Sequence, residues 1–379
     1  MDNESIFFRI KNELFLSALA MVIGTIERRT IRPILGHLYL ECSDEGLTLI
    51  ASNIENQISF QISGDTEGLE IGQSGKTTVP AFKLHEACRN FPASSILDFE
   101  LHEQYLNLEN DSSHFRFTTL PAEDFPFMSR SKVKPWAKLT CSVFRTSLQG
   151  AAISMANNDS NPSRNGVIVS HSEDNFSFVS SDGCRASKVS LNEPSISKEA
   201  VLLHLPRRGV HELIRILGRI SQESDVILNL ADGQLEVGFP SGMIILKLTD
   251  CEIPSFDYIF AQKTEHEVIL QASAMKTAIN QVMVLADSLH PRIDLKFSKN
   301  WVKLSASNTS NEIAETSIPT ESSQLDSNFS FRADFLLDIC AFFESNHLKI
   351  RFTDSRHGIY FFPNDFHLDY IYLVMPLMV

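Results

Sequence analysis

Residues 201–217 read VLLHLPRRGVHELIRIL: an extended apolar run, a turn at Pro206, and an amphipathic stretch. Its apolar positions Val210, Leu213, Ile214 and Leu217 fall at i, i+3, i+4 and i+7, one face of a helix. The same phrase occurs six times. The extended runs open near Phe7, Thr77, Leu139, Val201, His266 and Asn328, at separations of 70, 62, 62, 65 and 62 residues. The helical register of residues 210–217 returns at Leu84, Ala87, Cys88 and Phe91, at Met275, Ala278, Ile279 and Val282, and at Leu336, Ile339, Cys340 and Phe343. A fixed period of this length governs the architecture before any motif is considered.

Between the helices the chain alternates or runs apolar over short stretches: Ile96–Leu101, Tyr105–Leu108, His114–Thr119, Val226–Leu230, Leu235–Phe239 and Met243–Leu248. Most are separated by turn residues such as Asn110-Asp111, Asp232-Gly233 and Ser241-Gly242. Each half-repeat is therefore one strand, one helix and several strands, which defines an α+β protein with antiparallel sheets. Pairing the six phrases predicts three similar domains of two helices each, at 1–134, 135–256 and 257–379. The joints fall in the polar, basic stretch 128–138 with Pro135 and in 253–267 with Pro254. Repetition puts helices on one side and sheets on the other, and such an array either stacks open or closes.

The chain has 379 residues, 43% of them hydrophobic, too long for a single core. No apolar run reaches the length of a membrane span, and Met1-Asp2-Asn3-Glu4 lacks the start of a signal peptide. The six cysteines have no paired spacing, as expected of reduced, buried thiols in a cytoplasmic protein. A net charge of −14 argues against an overall basic surface but leaves room for segregated charge. No enzyme constellation is present. Gly72 to Thr77 (GQSGKT) has too few residues between its glycines for a phosphate-binding loop and runs into Pro80 rather than a helix. Ser181 lacks the glycines of a nucleophile elbow, and His347, His357 and Asp354 lack metal-ligand spacing. Neither cofactor nor metal is expected.

Six ordered segments resemble the bacterial sliding clamp family, the β subunit of DNA polymerase III. They are Arg32-Pro33-Ile34-Leu35-Gly36, Val79-Pro80-Ala81, residues 119–126 (TLPAEDFP), Ser181-Asp182-Gly183-Cys184-Arg185, Pro206-Arg207-Arg208-Gly209-Val210 and Val374-Met375-Pro376-Leu377. The match runs from about Phe7 to Val379. The resemblance implies a head-to-tail homodimer closed into a ring, with helices lining a hole that accommodates duplex DNA. It further implies a processivity factor without catalytic activity, loaded by an ATP-driven clamp loader and tethering polymerase to the template. Two alternatives stay open: a divergent paralogue with specialised partners, and an open repeat scaffold that binds proteins without encircling DNA.

A sliding ring must touch phosphates and avoid base edges. Arg208, Arg215 and Arg219 are spaced to share the helix face opposite the apolar stripe, with Arg207 at the helix start and Lys83 and Arg89 on the second helix. Arginines opposite an apolar stripe also make an ordinary solvated face. By resemblance Arg29, Asn158, Arg207 and Arg208 match family positions that approach DNA. The last domain offers Lys276 and Arg332 among Asp334, Asp338 and Glu344, so the basic lining should be uneven.

The resemblance also implies a pocket for short, partly apolar peptides of polymerase and loader. The matching positions are Arg164, Ser181, Gly183, Cys184, Arg185, Ala186, Pro254, Ile259, Leu373, Met375, Pro376, Leu377, Met378 and Val379. A uniformly apolar chain end suits such a site, although it also suits a last core strand. Arg164, Cys184 and Ala186 depart from the family pattern, and alanine in place of leucine is expected to enlarge the pocket. At the dimer interface the resemblance sets Phe115 against the partner's Val284 and Leu285, with edge strands paired across subunits.

Overall fold

The computed structural model describes residues 6–129, 133–172, 175–193, 196–197, 199–287, 291–320, 327–354, 357–364 and 367–377. Seven α-helices lie among these residues: α1 (Asn12–Val22), α2 (Ala81–Arg89), α3 (Cys141–Ala152), α4 (Arg207–Leu217), the short α5 (Asp257–Phe260), α6 (Ala272–Met283) and α7 (Ala333–Phe342). Twenty-five strands accompany them, all paired antiparallel, which is the α+β organisation read from the periodicity. The repeated register is the buried one. Met275, Ala278, Ile279 and Val282 of α6 are all buried, as are Leu336, Ile339, Cys340 and Phe343 at α7. In α4 the stripe is rotated slightly: Val210, Leu213, Ile216 and Leu217 are buried, while Ile214 is half-exposed.

The chain forms two compact units. The first comprises residues 1–145, 195–197 and 211–248. It contains a five-stranded sheet in the order 69–73, 7–11, 96–102, 105–110, 113–118, and an eight-stranded sheet in the order 134–140, 225–231, 234–239, 242–247, 56–63, 46–52, 37–43, 75–80. Phe8, Phe15 and Phe99 form its aromatic centre, with Phe8 stacked on Phe99 at 4.6 Å.

The second unit comprises residues 146–194, 198–210 and 249–379. Its eight-stranded sheet runs 201–206, 166–172, 175–181, 185–192, 369–374, 359–363, 347–352, 266–271, and its four-stranded sheet runs 313–319, 301–307, 292–298, 327–332. Phe297, Phe329 and Phe352 pack ring against ring at 4.7–5.7 Å.

Both eight-stranded sheets have the same construction. Two four-stranded halves meet edge to edge, at 242–247 against 56–63 in one and at 185–192 against 369–374 in the other. At the first seam Ile244 opposes Ile58, and both are fully buried. Burial of this kind stabilises by roughly 1.5–3 kcal/mol per side chain. The two smaller sheets are built on halves of the same kind whose corresponding edges, Ser113–Thr118 and Ile313–Pro319, have no neighbouring strand among the described residues.

All six cysteines are free. Cys42, Cys88, Cys141 and Cys340 are buried as expected, and burial pushes the Cys340 thiol up to about 12. Cys184 is exposed and Cys251 half-buried, because each sits in a connection rather than on a core face.

Candidate functional site

Strand Arg185–Asn192 pairs with Asp369–Val374 so that Ala186 faces Leu373. These two residues and Tyr360 form a buried apolar cluster with Ile259, Phe260, Phe362 and Ile371 packed against it. The Tyr360 hydroxyl donates to the Ile259 carbonyl at 2.7 Å, tying the 253–260 connection to the sheet. The expected enlargement beside Ala186 is therefore not open. Ala186 is 1% exposed, and Tyr360 and Leu373 close over it.

The turn before Ala186 is built by its own polar groups. Asp182 accepts from the backbone N–H of Cys184 (2.9 Å) and of Arg185 (3.0 Å), and Ser181 Oγ donates to the Arg185 carbonyl at 2.8 Å. Gly183 adopts φ +92°, a left-handed conformation that favours glycine. A Cβ there would also lie 3.2 Å from the Arg164 guanidinium, which is thus beside the turn, held by Asp159 at 3.3 Å. The Asn161 N–H and then Arg164 hold the Asp159 carboxyl below its ordinary range. The chain end closes onto this turn: Met375 N–H donates to the Cys184 carbonyl at 2.9 Å, and Leu377 N–H to the Ser330 carbonyl at 2.8 Å. Met375 and Leu377 are exposed, Pro376 is buried between them, and Pro254 is exposed. Met378 and Val379 lie outside the described residues.

Sequence reasoning missed the ring at the centre of the charged flank. Arg185 bonds Asp182 (2.9 Å), Asp338 (2.6 Å) and the Tyr372 hydroxyl (3.2 Å), and its guanidinium lies 4.4 Å from the Phe335 ring centre. Arg332 lies 4.6 Å from the same ring and pairs with Asp334 at 2.6 Å, which raises its pKa. A cleft of about 460 Å³ opens beside them, lined among others by Cys184, Arg207, Arg332 and Phe335. Nothing in the local sequence distinguishes Arg332 and Phe335 from ordinary residues of a helix start. A smaller cleft of about 250 Å³ lies at Pro254, Phe256 and Phe260, with Lys188 in its wall.

The predicted cations divide into two groups. In the first unit Arg29, Lys83, Arg89 and Arg219 are exposed, and Arg89 pairs with Glu86 at 3.2 Å. In the second, Asn158 and Arg208 are exposed, while Arg207 is half-buried and donates to the carbonyls of Met155 and Ala156 at 3.1 Å each. Arg215 is placed differently from these. Its guanidinium binds Glu212 (2.6 and 2.9 Å), the Ala20 carbonyl at 2.6 Å and the Met21 carbonyl. Glu212, 8% exposed, also accepts from the Thr25 hydroxyl at 2.7 Å. Arg215 thus caps the carboxyl end of α1, where unpaired carbonyls need donors, and is committed inside the fold.

Phe115 is 37% exposed on its edge strand, in edge-to-face contact with Phe91. Val284, just beyond α6, is 78% exposed, and Leu285 is half-buried. Among the described residues no group of three or more His, Cys, Asp or Glu is arranged to hold a metal, and no helix is long and apolar enough to cross a membrane.

A repeated strand–helix–strand unit, with an apolar cluster where residues 373–377 meet the turn before Ala186, is the architecture of a DNA clamp. Family models of the DNA polymerase III beta subunit match the N-terminal domain at residues 6–129, the central domain at 138–255 and the C-terminal domain at 257–377. The chain belongs to the DNA polymerase III beta subunit family, the sliding clamps. The beta sliding clamp of Pseudomonas putida is 26% identical over 374 residues, covering 98% of this chain and 99% of the relative. That of Escherichia coli K12 is 23% identical, covering 93% and 94%. The crystal structure of the DNA polymerase III subunit beta of Pseudomonas aeruginosa superposes with a TM-score of 0.90 at 25% identity, covering 98% and 100%. A DnaN sliding clamp from the same organism, bound to griselimycin, gives 0.92 at 24% identity, covering 99% and 100%.

Proposed function

We propose that this protein is a processivity factor that encircles duplex DNA as a homodimeric ring, without catalytic activity of its own, in the cytoplasm. In this reading each chain contributes three clamp domains, 1–134, 135–256 and 257–379, and the ring tethers polymerase and is placed on DNA by a clamp loader. The observation that carries the reading is the pair of unmatched sheet edges. Within the chain, half-sheets of these two kinds join twice at the same kind of edge. Ser113–Thr118 and Ile313–Pro319 are the two such edges left over. One lies in the first third of the chain and the other in the last third, so head-to-tail pairing of two copies satisfies both edges and closes the assembly.

Phe115, Val284 and Leu285 flank this joint in the proposal, and the exposure of Phe115 and Val284 supports it. DNA contact is assigned to Arg29, Lys83, Arg89, Asn158, Arg208 and Arg219, with retention mainly topological and contacts to phosphate only. Partner peptides of polymerase and loader are assigned to the cluster of Ala186, Ile259 and Leu373 and the exposed Met375 and Leu377. Arg164 and Cys184 at its lip favour a partner set of this clamp's own. Sedimentation tests the joint: Val284→Ala combined with Leu285→Ala should convert a dimer into a folded monomer, and an unchanged dimer would reject the assignment.

A further inference from the structure

We infer that the cleft between Arg207 and Arg332 receives acidic side chains that flank the apolar segment of a partner peptide. The inference rests on the peptide pocket proposed above and names the charge of what fills it. The cleft and the pocket share one wall. Cys184 lines the cleft, and its carbonyl accepts from Met375 N–H, whose exposed side chain stands at the pocket mouth. A peptide seated on Leu373 and Met375 therefore has its flank within reach of the cleft.

In and around the cleft four arginines face four aspartates, but the pairs are unequally shared. Asp159 is held by Arg164, Asp182 by Arg185 and Asp334 by Arg332, and Arg185 carries a second carboxylate, Asp338. Arg207 instead donates to two neutral carbonyl oxygens and has no acidic partner among the described residues. Arg332 is held by Asp334 through Nε (3.1 Å) and Nη2 (2.6 Å), and its side chain is still 52% exposed. One carboxylate can therefore be accepted between Arg207 and Arg332 without displacing an existing ion pair, and charge-assisted bonds of this kind are the stronger class. The phosphate backbone of a duplex is the competing occupant. Asn158, assigned above to DNA, also lines the cleft, but three aspartates line it too, and a dense row of phosphates entering it would approach all of them, whereas a single side chain can avoid them.

The test uses the full-length dimer and two fluorescein-labelled synthetic peptides with the same leucine and phenylalanine core. One carries paired aspartates at both flanks and the other paired asparagines. Fluorescence anisotropy should give about tenfold tighter binding of the aspartate peptide, a difference of about 1.4 kcal/mol. Arg207→Gln should reduce that preference to about twofold or less without weakening the asparagine peptide. Asp334→Asn, which releases Arg332, should increase the preference, an effect no folding defect imitates. Equal binding of the two peptides, or a preference unchanged in Arg207→Gln, overturns the inference and leaves the pocket standing. Binding of neither peptide overturns the pocket and the inference together. A preference that survives Arg207→Gln while retention on nicked circular DNA falls would assign the cleft to phosphate.

Discussion

Arg215 shows how one side chain changes meaning between sequence and structure. Its spacing from Arg208 and Arg219 puts it on an outward helix face, yet it is drawn inward by Glu212, three residues earlier, and by the open carbonyls of Ala20 and Met21. The signal lies almost two hundred residues away and no local pattern carries it. Arg215→Ala leaves Glu212 buried with the Thr25 hydroxyl as its one remaining donor among the described residues, and breaking a buried pair in this way costs about 3–5 kcal/mol. The urea midpoint should fall accordingly. Arg208→Ala and Arg219→Ala, both exposed, should shift stability by no more than about 0.5 kcal/mol while weakening DNA retention. A neutral Arg215→Ala would show that the lock contributes nothing. Ala186 makes a related point: a small side chain opens a pocket only where its neighbours leave space, and here it is buried with Tyr360 and Leu373.

At the level of elements the periodic signals were sound. The strands read at 96–101, 226–230 and 235–239 appear within a residue or two of those limits, because turn residues and alternation act locally. Which strand edges meet was illegible, since edge pairing depends on contacts far apart in the chain. The internal seams now give a register for the edges left over. Gly242 opens its strand opposite Phe239 as Ser113 does opposite Asn110, and Gln57 opposes Ser52 as Ile313 opposes Ser307. Carrying the Met243–Ser59 pairing across puts His114 opposite Glu315 of a second copy. Accordingly, His114→Cys with Glu315→Cys should give a disulfide-linked dimer on mild oxidation, and neither single variant should. Cross-linking that requires a neighbouring position would mean a different register, because a one-residue slip turns every side chain to the other face.

For the whole molecule, the repeat predicted how many units there are but not whether they close. In the proposed ring, closure lies in the two complementary edges, Ser113–Thr118 in the first third of the chain and Ile313–Pro319 in the last. The helices of the last domain carry little unpaired positive charge: Lys276 pairs with Glu344 and Arg332 with Asp334. DNA contact should therefore be weak and strongly salt-dependent. What holds such a protein on DNA is that it cannot come off without an end. The decisive measurement is retention on nicked circular plasmid after loading, followed by cutting the plasmid once. Protein that stays on the circle through a high-salt wash and leaves on linearisation is predicted. Salt-sensitive loss from the intact circle, or equal retention on circle and linear DNA, would contradict the ring.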